Sequence, residues 1–145
     1  MTHRSPDIEE LITIAMDCGF AIHRALGPGL LESAYEILMA QALQKRGLRV
    51  ETQKPISLHF EDIRIDDVYR VDLLVENLLI IELKSVEQLA AVHKKQLLTY
   101  LRITGLPVGL MMNFGAAMLK DGIRRVINNQ SAYAAPSNVK SRIAT

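Results

Sequence analysis

Apolar residues recur through the first part of the chain at the spacing of a helix. Ile8, Leu11, Ile12, Ala15, Cys18, Ile22 and Ala25 fall on one face, which predicts an amphipathic helix over 6–26. Ser5 reads as its N-cap with Pro6 at the first helical position, and Asp7, Glu9 and Glu10 stand where the helix dipole favours acids. Gly27-Pro28-Gly29 stops it. A second helix is predicted from about Leu30 to Arg46, with Leu31, Ala34, Tyr35, Leu38 and Ala42 inward and Gly47 as C-terminal cap. At Leu48 the texture changes to short β-rich stretches, 48–52, 56–60, 63–66, 68–75 and 78–85, with Glu61-Asp62 and Glu76-Asn77 as turn tips. Helical spacing returns over 87–103 and ends at Gly105. Pro107 opens an apolar strand over 108–113, and 123–127 reads as a further short strand. This order predicts an α/β (α+β) fold, a single domain with a central mixed β-sheet flanked by helices over 1–130. The small, polar composition after Asn128 predicts a flexible C-terminal tail over 131–145.

Composition narrows the classes. The chain has 145 residues, 49% hydrophobic and 23% charged, which suits one globular domain with its own core. No apolar stretch approaches the ~18–20 residues a membrane helix needs, so no membrane partner is expected. The N-terminal segment lacks the apolar core and cleavage site of a signal peptide, and one cysteine, Cys18, excludes an internal disulfide framework. Cytoplasm is the expected compartment. A net charge of +1 gives no global basic footprint for nucleic acid, which weakens a polyanion partner without excluding one, since binding needs only local positive potential and acids in a site lower the count. His3, His23 and His59 show no metal-ligand spacing, and neither phosphate-binding glycine loop nor hydrolase elbow occurs.

The candidate chemistry lies in the middle. Leu78-Leu79-Ile80-Ile81 runs straight into Glu82-Leu83-Lys84, and Asp72 stands ten residues before Glu82. Near-continuous apolar strands are buried on both faces, where an unpaired charge costs several kcal/mol. Alternation puts Glu82 and Lys84 on one face. Their relation to Asp72 depends on the hairpin. A two-residue turn at Glu76-Asn77 would pair Asp72 with Ile81 and point it away from Glu82. An odd-length loop or a bulge would set Asp72 against Glu82 and Arg70 against Lys84. In that register Asp72 and Glu82, with the backbone carbonyl of Leu83, suit Mg²⁺, which takes one or two carboxylates plus waters and substrate phosphate. Lys84 would hold an attacking water and offset developing negative charge. A cross-strand salt bridge on a solvated face explains the same charges. His93, Gln96 and Tyr100 form a polar-aromatic stripe on the following helix, lining a cleft or simply packing. Met111-Met112 and Met118-Leu119 are either a dimer surface or ordinary core.

These motifs, in order, resemble a known family. Gly29-Leu-Leu-Glu32-Ser-Ala-Tyr35 is similar to the signature of the GxxExxY proteins, a prokaryotic group within the PD-(D/E)XK nuclease-like superfamily. The resemblance extends through Tyr69-Arg-Val-Asp72, Glu82-Leu-Lys84, His93-Lys-Lys-Gln96-Leu-Leu-Thr-Tyr100 and Asn113-Phe-Gly115. It implies a restriction-endonuclease-like αβββαβ core and a Mg²⁺-dependent nuclease, with Mn²⁺ as substitute, cleaving DNA in preference to RNA. By the same resemblance Asp72 is the acid of the first motif and Glu82 and Lys84 form the E-x-K pair. Gln96 and Tyr100 match a Gln-x-x-x-Tyr element of RecB-type exonucleases, and Glu32 matches an additional acid near the metal. Val71 stands where proline often precedes the first acid. The alternative is a non-catalytic nucleic-acid-binding or assembly module that keeps the fold. A homodimer and a subunit of a larger nuclease complex are the assemblies considered.

Overall fold

The computed structural model of the protein describes residues 4–130. The proposed tail, 131–145, and His3 lie outside them. The elements run α1 (Ile8–Leu26), α2 (Glu32–Lys45), β1 (Val50–Phe60), β2 (Ile63–Val75), β3 (Leu79–Lys84), α3 (Ala91–Thr104), β4 (Val108–Asn113), one 3₁₀ turn (Leu119–Gly122) and β5 (Ile123–Ile127). The strands form one five-stranded sheet in the order β1-β2-β3-β4-β5. All neighbours are antiparallel except β3 and β4, which are parallel and joined through α3. Parallel neighbours need such a crossover.

Each face of the sheet has its own core. Leu11, Ala15 and Ile22 of α1, and Tyr35, Met39 and Leu43 of α2, pack on Leu73, Leu79, Ile81, Leu83, Leu110 and Met112. Leu97, Tyr100 and Leu101 of α3 pack on Ile56, Val71, Leu74, Ile80 and Met111 across the sheet. β3, covered on both faces, is buried from Leu79 to Leu83, which is why its sequence is apolar rather than alternating. Met111 and Met112 are core residues, one on each side, so ordinary packing accounts for them. Leu119 is buried as well, and Met118 is exposed.

Several sequence expectations need correcting. Asp7, not Ser5, caps α1: it is extended, and its Oδ1 accepts the Glu10 amide at 2.9 Å. On α2 the buried residues are Tyr35, Met39, Ala40 and Leu43, with the expected Leu38 and Ala42 partly buried against the same core, while Leu31 precedes the helix and is 77% exposed. The cause is Tyr35, whose ring stacks on Phe114 at 4.4 Å and fixes the rotation of the helix. The four stretches between 48 and 75 are two long strands. Their apparent breaks are Gln53 and Asp67, which have left-handed backbone (φ 50° and 59°) and interrupt the pairing without ending either strand. The register between β1 and β2 shifts between Ile56 and Leu58, opposite the segment holding Asp67. Helix α3 starts at Ala91 rather than 87, and His93 Nδ1 accepts the Ala90 amide at 3.0 Å, closing the helix end there.

Candidate functional site

The 68–85 hairpin adopts the irregular register. Val75 pairs with Leu79, Leu74 with Ile80 and Leu73 with Ile81, so the loop is three residues, 76–78. Glu76 and Asn77 both take left-handed backbone (φ 54°), and the Leu78 amide closes onto the Val75 carbonyl at 3.0 Å. The extra loop residue rotates β2 against β3 by one position and sets Asp72 opposite Glu82.

At that point the ladder stops and the two carboxylates take over its hydrogen bonds. The Asp72 amide donates to Glu82 Oε1 at 2.9 Å, and the Leu83 amide donates to Asp72 Oδ2 at 2.8 Å. Alternation along β2 breaks here too: Val71 belongs to the α3-side core and Leu73, two residues on, to the α1/α2-side core. In a regular strand they would share a face. Asp72 therefore sits where β1 and β2 peel away from β3 and β4. A fork of this kind exposes side chains that would otherwise be sealed between strands.

Glu82 is 6% exposed. Burial first, and then the negative charge of Asp72, push its carboxyl up from 4.5 to about 8. Lys84, next on the same side of β3, acts against that rise and also draws the Glu32 carboxyl down. Lys84 makes no ion pair among the described residues. Glu32, at the start of α2, is pushed up by partial burial and by the charges of Asp72 and Glu36, and a backbone hydrogen bond from Ser85 opposes this. Its position depends on the turn before it. The buried Tyr35 hydroxyl donates to the Gly27 carbonyl and accepts the Leu30 amide at 3.1 Å, and Ser85 Oγ donates to the Leu30 carbonyl at 3.0 Å. On the α3 side the buried Tyr100 hydroxyl is pushed up to about 12, by burial and then by the charges of Glu82 and Asp72, with Gln96 hydrogen-bonding to it.

The structure thus gathers Asp72, Glu82, Leu83, Lys84, Glu32, Tyr100 and Gln96 around one fork. It does not bring in His93, spent on the α3 start, and it ties Arg70 to Asp67 at 2.9 Å. Sequence reading missed Gln53, whose Nε2 donates to Asp72 Oδ1 at 3.2 Å, and Glu36, whose Oε1 accepts from the same amide at 2.7 Å. Glu36 stands one helical turn after Glu32, a spacing that marks a shared face. Nothing local marks Gln53. Among the described residues no three His, Cys, Asp or Glu side chains converge closely enough to hold an ion, so the fork offers a carboxylate pair with Glu32 to one side.

The family model of the PD-(D/E)XK nuclease superfamily matches residues 9–126, which spans every element from α1 to β5. The chain belongs to that superfamily. No curated protein and no solved structure matches it significantly. Membership points to nuclease activity, and with it nucleic-acid binding, as the class of function. No helix among the described residues is long and apolar enough to cross a membrane.

Proposed function

We propose that the protein is a Mg²⁺-dependent nuclease hydrolysing phosphodiester bonds of DNA, in preference to RNA, with Mn²⁺ able to substitute. The observation that carries this reading is the Asp72–Glu82 pair at the strand fork, with Lys84 beside it. Two close carboxylates, one of them driven to hold a proton by burial and then by the charge of the other, are a hard-oxygen donor set whose repulsion a divalent cation relieves. Asp72 and Glu82 would hold the ion with the Leu83 carbonyl, and Glu32 would support it from α2. A bound ion there would polarise the phosphate and neutralise developing charge.

The chain's own residues do the rest. Lys84, free of ion pairs among the described residues, positions the attacking water and stabilises negative charge on the reacting phosphate. Tyr100, its proton held by burial and then by the charges of Glu82 and Asp72, donates a hydrogen bond to phosphate, and Gln96 orients its hydroxyl. The Gly29-to-Tyr35 segment supports placement in the GxxExxY group and acts as a clamp that sets Glu32. Cytoplasmic location is part of the same reading, as is action as a homodimer or within a larger nuclease complex.

The test is cleavage of single- and double-stranded DNA and of RNA with Mg²⁺ or Mn²⁺, alongside calorimetry of Mn²⁺ binding. Wild type is expected to bind and cleave, and Asp72→Asn and Glu82→Gln to do neither. A second reading, a nucleic-acid-binding or assembly module without catalysis, draws on the net charge of +1 and the absence of tryptophan. Nucleic-acid binding without cleavage, unaffected by Asp72→Asn, would favour it.

A further inference from the structure

Gln53 is the residue of β1 that faces Asp72, since its neighbours Thr52 and Lys54 pair with Leu73 and Val71. It stands in left-handed backbone at φ 50° although it is neither glycine nor asparagine. Such a conformation persists only where the surroundings fix it, and it is concentrated at functional sites. Here it aims one primary amide at two carboxylates: Nε2 donates to Asp72 Oδ1 at 3.2 Å and to Glu36 Oε1 at 2.7 Å. The amide has two N–H groups, so both acceptors are served at once.

We infer that Gln53 is a positioning residue for the metal-binding carboxylate of Asp72, locked in place by Glu36 of α2. The inference rests on the proposed nuclease site. Asp72 Oδ2 is already fixed by the Leu83 amide at 2.8 Å, so the Gln53 bond at Oδ1 restrains the second oxygen and with it the plane of the carboxylate. A neutral amide does this without cancelling the charge that an incoming cation needs, which a lysine or arginine would do. Glu36 completes the arrangement, holding the exposed Gln53 side chain so that orienting Asp72 does not depend on one mobile rotamer. β1, the edge strand of the sheet, thereby contributes to a site whose reacting groups all lie elsewhere.

Gln53→Gly separates positioning from stability. Glycine adopts φ 50° without strain, so the metal-free variant is expected to melt at or above the wild-type temperature. Without the amide, Mn²⁺ affinity by calorimetry is expected to fall roughly tenfold or more, the usual effect of losing a partner behind a metal ligand. Gln53→Asn tolerates the same backbone but is one methylene short of both carboxylates, and is expected to show the same loss. In cleavage assays both variants should need more Mn²⁺ for half-maximal rate with an unchanged KM for DNA. Variants that bind Mn²⁺ as tightly as wild type overturn the inference and leave the site reading intact. Wild type that takes up no Mn²⁺ through Asp72 and Glu82 overturns both.

Discussion

The Asp72 amide donates to Glu82 Oε1 at 2.9 Å while the Leu83 amide donates to Asp72 Oδ2 at 2.8 Å, so each acid accepts an amide from the other's strand. The last rung of the ladder is thus made of side chains. Both carboxylates are held where β2 leaves β3, and Glu82 is held there under burial that disfavours its charge.

That burial fixes a pH dependence. The folded-state pKa of Glu82, about 8, lies above its ordinary 4.5, so between these values the folded chain keeps a proton that the unfolded chain has released. The stabilisation is complete below about pH 4.5 and is lost as pH rises through about 8. It amounts to about 5 kcal/mol at most, because each tenfold change in proton affinity is worth about 1.4 kcal/mol. Metal-free protein is expected to melt at a lower temperature at pH 8.5 than at pH 5.5, and Glu82→Gln to flatten that slope. Stabilisation by Mn²⁺, which competes with the proton, is expected to grow over the same range. Thermal melts with and without Mn²⁺ check both signs.

Lys84→Ala is expected to abolish cleavage, by about 100-fold or more, while Mn²⁺ binding persists, because the ammonium lies beside the carboxylates and is not one of the ligands. Binding measured by calorimetry and cleavage measured on the same preparation separate the two. A variant that cleaves as well as wild type removes Lys84 from the mechanism.

Tyr35→Phe keeps the stacking on Phe114 but leaves the Gly27 carbonyl and Leu30 amide without their partner. Losing a buried hydroxyl so placed costs about 1–3 kcal/mol, read as a fall in denaturation midpoint at unchanged slope. Because the same turn precedes Glu32, cleavage is expected to fall as well, at temperatures where the variant remains folded.

Gly115→Ala tests the packing behind Lys84. A Cβ there would stand 2.6 Å from the Val86 amide nitrogen and against its carbonyl oxygen, and backbone cannot step aside as a side chain can. The Asn113 side chain ties the same loop, accepting the Val86 and Gly115 amides at 3.0 Å and donating to the Val86 carbonyl at 2.8 Å. A destabilisation of about 1–3 kcal/mol in chemical denaturation is expected.

The helices, the buried central strand and its terminal Glu82-Leu83-Lys84 were legible in the sequence, because amphipathic spacing and apolar runs are written locally. So was the company of Asp72, Gln96, Tyr100 and Glu32, through motif order. Whether Asp72 meets Glu82 was not. That depends on whether the hairpin loop holds two residues or three, and Glu76-Asn77-Leu78 carries no glycine to announce left-handed backbone at its first two positions. Gln53 and Glu36 were out of reach for the same kind of reason. Gln53 approaches Asp72 across 19 residues of chain, and Glu36 approaches Gln53 across 17, through a register and a helix placement that only the packed sheet decides. The sequence by itself determined which residues are chemically able to form the site. The tertiary structure decided their register, because strand pairing is a contest among non-local contacts, here won by the two cores that bury Leu73 on one side and Leu74 on the other.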